Sequence, residues 1–206
     1  SQTWDDHDRS GRYACRDFGR NYLMTLQDQG YPIIFTNGDN DTFPLWYNQE
    51  VEGFRTDART CNLSYLQTDW YIDQMKRPAY NSPSLPITWD RMEYVEGTNE
   101  YIPIHPEYKK SINQLYAEAE KQALGGNPEA LINVKKEFGE NPYELKNILK
   151  HWIRSPKDNE LKVIPTDSIV VKVDKEAVRR SGMMIPGDSI PDYMHISLKG
   201  KRALYK

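Results

Sequence analysis

Three short runs of this sequence place carboxylates beside turns or helix starts. Asp5, Asp6 and Asp8 stand with His7 and Arg9 in the opening Trp4-Asp5-Asp6-His7-Asp8-Arg9. Asp39 and Asp41 lie in Asn37-Gly38-Asp39-Asn40-Asp41-Thr42, and Asp69 lies in Thr68-Asp69-Trp70. Carboxylates that converge suit a hard divalent cation such as Ca²⁺ or Mg²⁺, and Asp39 and Asp41 are the candidate ligands. Such groups also hold sugar hydroxyls or act as acid and base. Asn37, Asn40, Thr68 and Trp70 add amide, hydroxyl and aromatic groups to the same candidate ligand-binding set. Asp, Asn and Thr are equally ordinary turn formers and helix caps, and Asp39-Asn40-Asp41 falls short of a full EF-hand loop.

For these runs to meet, the elements that carry them must be neighbours. Residues 10–29 read as a helix with Tyr13, Ala14, Phe18, Tyr22, Leu23 and Leu26 on one face, stopped by Gly30. Residues 31–36 read as an apolar strand. Thr42 is placed to cap a second helix through about Val51, with Pro44 in its first turn. Residues 58–64 read as a second strand, and Thr68 or Asp69 caps a helix carrying Trp70, Tyr71, Ile72 and Met75. Strand, helix, strand, helix predicts a small parallel, Rossmann-like sheet in an α/β fold. In such a sheet ligands bind beyond the carboxyl ends of the strands, where the Asn37–Thr42 and Ser64–Asp69 loops would lie side by side. Trp46, Tyr47, Trp70 and Tyr71 follow these loops, as core residues or as a sugar platform.

The remainder reads as a Pro- and Ser-rich loop over 78–90 and a hairpin over 92–104. Helical stretches follow over 106–124, after Asn127-Pro128 and after Asn141-Pro142. Strands are expected over 161–165, 168–173 and 193–198, with a short helix over 174–181. The expected organisation is an α/β core of residues 1–77 plus 156–206, with a hairpin and helical insertion over 78–155.

Composition excludes several classes. The 206 residues carry 27 basic and 30 acidic side chains, a formal charge of -3, with no basic stripe for nucleic acid. No apolar run approaches the roughly 20 residues of a spanning helix. There is no Gly-rich phosphate loop and no GxSxG motif. His7, His105, His151 and His195 form no HxH or HxxxH pair, so a histidine metal site is not expected. Cys15 and Cys61 match no metal or redox spacing; they form a disulfide or pack unpaired, and unpaired packing is the preferred reading. Asn40-Asp41-Thr42 and Asn62-Leu63-Ser64 fit the N-glycosylation triplet, the second inside an expected buried strand. With no initiator Met and no leader, the sequence is expected to be a piece of a longer product.

Trp4-Asp5-Asp6-His7-Asp8-Arg9-Ser10-Gly11-Arg12-Tyr13 and Phe35-Thr36-Asn37-Gly38-Asp39-Asn40-Asp41-Thr42-Phe43-Pro44-Leu45-Trp46-Tyr47 carry a family resemblance. So do Gln49–Gly53, Arg55–Asp57, Asn62–Ser64 and Thr68–Ile72. They resemble bacterial polytopic membrane proteins of poorly defined function that are similar to protein O-mannosyltransferases. The resemblance is dense over residues 4–77; beyond them only Met194–Leu198 shares it. It implies a bundle of membrane helices in the same parent chain, followed by a soluble portion on the periplasmic side of the inner membrane. It also implies transfer of a sugar from a polyprenyl-phosphate donor to a Ser or Thr of a protein acceptor. The catalytic carboxylate of such relatives lies between membrane helices, so no catalytic residue is carried over to this sequence. The leading expectation is an accessory or donor/acceptor-binding domain that is not active alone. The alternatives are a self-contained metal-dependent hydrolase using the Asp cluster, and a periplasmic interaction module.

Overall fold

The computed structural model describes residues 11–154, 162–182 and 184–205. The fold is mixed α/β, with small sheets, one of them parallel. The chain divides into two compact units, Ser1–Thr98 and Asn99–Lys206.

In the first unit, helix α1 (Ala14–Met24) precedes strand β1 (Ile33–Thr36), and helix α2 (Asp39–Glu50) precedes strand β2 (Arg59–Asn62). A single 3₁₀ turn (Tyr65–Gln67) leads into α3 (Asp69–Met75), and α4 (Arg91–Tyr94) follows the Pro-rich loop. β1 and β2 pair in parallel, with Ile33 opposite Arg59 and Thr36 opposite Asn62. Side chains alternate across a strand, so Ile34, Thr36, Thr60 and Asn62 share one face and Ile33, Phe35, Arg59 and Cys61 the other.

Both faces of β2 are buried, but β1 is covered on one face only. On the first face, Leu23, Ile34, Leu45 and Ala58 form a core with Leu26 and Phe54 against it. On the second, Cys61 packs with Tyr71, Met75 and Leu85, flanked by Trp46, Tyr65, Leu66 and Ile87. Burying each such large side chain is worth about 1.5–3 kcal/mol. That second cover spares β1, and Phe35 is left 56% exposed.

α1 and α2 touch through Gly19. A Cβ on Gly19 would lie 2.2 Å from the carbonyl oxygen of Pro44. Asn48, fully buried, ties the same crossing by donating from Nδ2 to Arg16 O (2.9 Å) and Pro44 O (2.8 Å). α2 begins three residues before the expected capping Thr42. Gly38, at φ 137°, occupies the N-cap position, and Thr42 is instead the buried centre of a polar knot. Its hydroxyl donates to Gly38 O (2.6 Å) and accepts from Thr36 Oγ1 (2.6 Å) and Asn62 Nδ2 (3.0 Å).

In the second unit, β3 (Tyr101–Pro103) pairs antiparallel with β6 (Ala203–Tyr205), and β4 (Ser168–Lys172) with β5 (Tyr193–Ser197). Helices α5 (Tyr108–Leu124) and α6 (Pro128–Phe138) pack together. α7 (Leu145–Ile148) runs into a π turn over Leu149–Arg154, and α8 (Lys175–Arg180) lies between β4 and β5. Tyr116 donates to Gly139 O (2.5 Å), and Tyr143 to Lys109 O (3.1 Å) and Asn113 Oδ1 (2.6 Å), tying α5 to the turns that follow α6.

Several sequence-based expectations differ from these elements. The hairpin over 92–104 does not form. Asp90 and Glu93 make a reciprocal capping box that starts α4, and β3 takes its partner a hundred residues further on. Residues 162–165 form no strand beyond one bridge between Ile104 and Ile164. Asn141 does not cap a helix directly; its Oδ1 accepts from Tyr143 N (3.1 Å) in a turn. The strands after residue 161 pair with one another and with β3. Among the described residues, no helix is long and apolar enough to cross a membrane.

Candidate functional site at the carboxyl ends of the parallel strands

Register places the ends of β1 and β2 together, so the two polar loops leave the sheet side by side. They are joined directly: Tyr65 Oη, from the second loop, donates to Asp39 Oδ1 at 2.9 Å. That carboxylate, with the hydroxyl it accepts, raises the Tyr65 pKa above the ordinary phenol value. Asn62, the last residue of β2, organises the second loop by accepting from Ser64 N (2.8 Å) and Tyr65 N (3.2 Å) through Oδ1.

Aromatic rings surround this junction. Tyr65 lies 6.3 Å from Trp46, 5.9 Å from Trp70 and 5.6 Å from Tyr71, centroid to centroid, and Trp46 lies 5.8 Å from Phe43. Tyr71 is core, and its hydroxyl accepts from Asn62 N (2.9 Å). Phe43 and Trp70 are half or more exposed, so the row runs from the core to solvent. On the other flank of Asp39, a cavity of about 350 Å³ is lined by Cys15, Arg16, Asp39, Asn40, Phe43 and Tyr47 with Pro44. An exposed carboxylate and amide beside aromatic rings suit a polyhydroxylated ligand, whose hydroxyls bond polar groups while its C–H face covers a ring.

The other expected site residues fall as follows. Asp5, Asp6, His7, Asp8 and Arg9 lie outside the described residues. Asn37 is exposed in the loop after β1. Asp39 and Asp41 occupy the first turn of α2, where negative charge complements the helix dipole. Thr68 holds the N-cap position of α3, but its hydroxyl donates back to Tyr65 O (2.7 Å) and caps nothing. Asp69 pairs with Arg91 at 3.4 Å, and Arg91 also pairs with Asp73. Among the described residues, no three His, Cys, Asp or Glu side chains are grouped so that they could hold a metal ion.

Two residues escape sequence reasoning. Tyr65 reads as an ordinary loop aromatic, and only the strand register reveals that it faces Asp39. Arg59 sits within a strand buried at every position. A cation inside a fully buried strand is the signal that marks it.

Residues 15–206 match the family described as TMEM260-associated domain 2. No curated protein and no solved structure matches the chain. With the family match extending over nearly its whole length, the chain belongs to the TMEM260-associated domain 2 family.

Proposed function

We propose that the chain is the extracytoplasmic, ligand-presenting domain of a polytopic membrane glycosyltransferase of the protein O-mannosyltransferase kind. Its own residues bind and orient a sugar or a sugar-accepting segment, and the parent's membrane helices carry out transfer from a polyprenyl-phosphate donor. In a bacterial parent this portion stands on the periplasmic side of the inner membrane. The observation that carries the reading is the Tyr65–Asp39 bond. It sets an exposed carboxylate between an aromatic row and a cavity, where two parallel strands end. The family match and the motifs shared with protein O-mannosyltransferase-like proteins support the same reading.

The test is made in the intact parent. Asp39→Asn and Trp70→Ala alter exposed side chains and leave the core alone. With membrane abundance unchanged, both should lower sugar transfer to the acceptor. Transfer at the level of the unaltered protein in both variants would overturn the proposal.

A further inference from the structure

Arg59 opens β2 on the face covered by α3, and only 5% of it is exposed. Nη2 donates to Gln74 O (2.9 Å) and Arg77 O (2.8 Å), and Nη1 to Ser82 Oγ (3.3 Å). Nε is buried without a partner. No ion pair joins this guanidinium to a carboxylate among the described residues. Its acceptors are neutral, and the backbone carbonyls at the C-terminal end of α3 offer only the fractional charge of a helix end. Burial pushes the Arg59 pKa down, yet arginine stays charged in proteins. A buried cation without a countercharge is unfavourable, and Nε still lacks a partner.

Arg59 lines a cavity of about 250 Å³, walled also by Trp46, Gln49, Thr60 and Ser82. Thr60 Oγ1 donates to Gln49 Oε1 (2.9 Å), and Gln49 Nε2 donates to the backbone carbonyls of Arg55 and Ala58, so this wall is held rigid. Glu50, the one carboxylate in the lining among the described residues, accepts a hydrogen bond from the Tyr80 hydroxyl. Both residues are exposed, and they form the rim. The cavity is smaller than the ~300–1,000 Å³ typical of drug-sized ligands, and it suits a compact group.

We propose that this cavity binds a small oxyanion, a carboxylate or a phosphate group, with the Arg59 guanidinium as its countercharge. Arginine is the side chain suited to this task, because it stays charged and binds oxyanions by charge-assisted hydrogen bonds. The site lies at the amino end of β2, the opposite end of that strand from the Tyr65–Asp39 junction, and does not depend on the function proposed for that junction.

Calorimetric titration of the chain with acetate and with inorganic phosphate, at ionic strength held constant with chloride, tests the assignment. One saturable, one-to-one binding event is expected, and the stronger of the two anions identifies the chemistry. Arg59→Gln should weaken it about tenfold or more. Ser82→Asp should do the same, because it places an internal carboxylate beside Nη1. This second variant decides the matter if Arg59→Gln does not fold. Absence of saturable binding for both anions, or undiminished binding in Ser82→Asp, would show that Arg59 only holds the end of α3.

Discussion

Tyr65 Oη donates to Asp39 Oδ1 across 2.9 Å, and this bond fastens the loop after one parallel strand to the loop after the other. The Asp39 carboxylate holds the Tyr65 phenol above its ordinary pKa. The bond is therefore intact below the usual tyrosine range and is lost as pH rises through the elevated value. Removing the charge with Asp39→Asn should let Tyr65 ionise at lower pH. Spectrophotometric titration against Tyr65→Phe, which isolates this one phenol, reads the shift. An unchanged Tyr65 transition would mean that the two loops are not coupled in solution.

Gly19 offers a sharper test of packing. A glycine in a helix interior usually costs up to about 1 kcal/mol relative to alanine, so Gly→Ala commonly stabilises. Here the added methyl would meet the Pro44 carbonyl at 2.2 Å. Gly19→Ala should lower stability by about 1–3 kcal/mol or more, seen as a lower Tm. Gly11, which precedes α1 and where an added Cβ would meet nothing within 4 Å, is the unhindered control. An unchanged Tm for Gly19→Ala would show that α1 and α2 stand further apart.

The second unit should be sensitive to alkali. Burial raises the phenols of Tyr116 and Tyr143 from 10.0 to about 12. Their folded-state pKa exceeds the unfolded one. The stability they contribute is thus whole below pH 10 and is lost as pH rises towards about 12. Tyr143→Phe should flatten that loss, while sacrificing bonds worth about 0.5–1.5 kcal/mol each at neutral pH. Unfolding curves collected across this pH range check both effects.

Thiol labelling separates the two cysteines. Cys15 is exposed, while Cys61 is fully buried and its thiol pKa is pushed up by that burial. A maleimide reagent should modify Cys15 in the native protein and reach Cys61 only after unfolding. Equal rates at both thiols would contradict the packing of β2 under α3. The structure resolves the two sequence-based alternatives for these residues as unpaired thiols.

How far the sequence discloses this arrangement depends on the range of each interaction. β1 is signalled by its apolar run and the neighbouring helices by their periodicity, and the parallel pairing with β2 follows from that order, although Thr42 and Thr68 do not cap as expected. The short helix expected over 174–181 forms as α8, with Asp174 at its N-cap accepting from Ala177 N at 2.9 Å. The 92–104 segment misleads because alternation around Glu96-Gly97 imitates a hairpin, although Asp90 and Glu93 already spell a capping box. Nothing near Tyr101 announces a partner at Tyr205. At the site, Asp39 stands out as a loop carboxylate, but the ring that faces it depends on register. The neutrality of every acceptor around Arg59 is a fact of tertiary packing alone.

The pairing of β3 with β6 also sets an order in time. During synthesis, the pairs and packings of the first unit lie within a short stretch of chain, and β1 finds β2 only 26 residues away at each rung. That unit can settle as soon as residues to Thr98 are clear of the ribosome. Residues 101–103 must instead wait for 203–205 before their edge is paired, and closing so long a loop is entropically slower. A nascent chain halted between these points would hold the Tyr65–Asp39 junction already formed, while the first strand of the second unit is still without its mate.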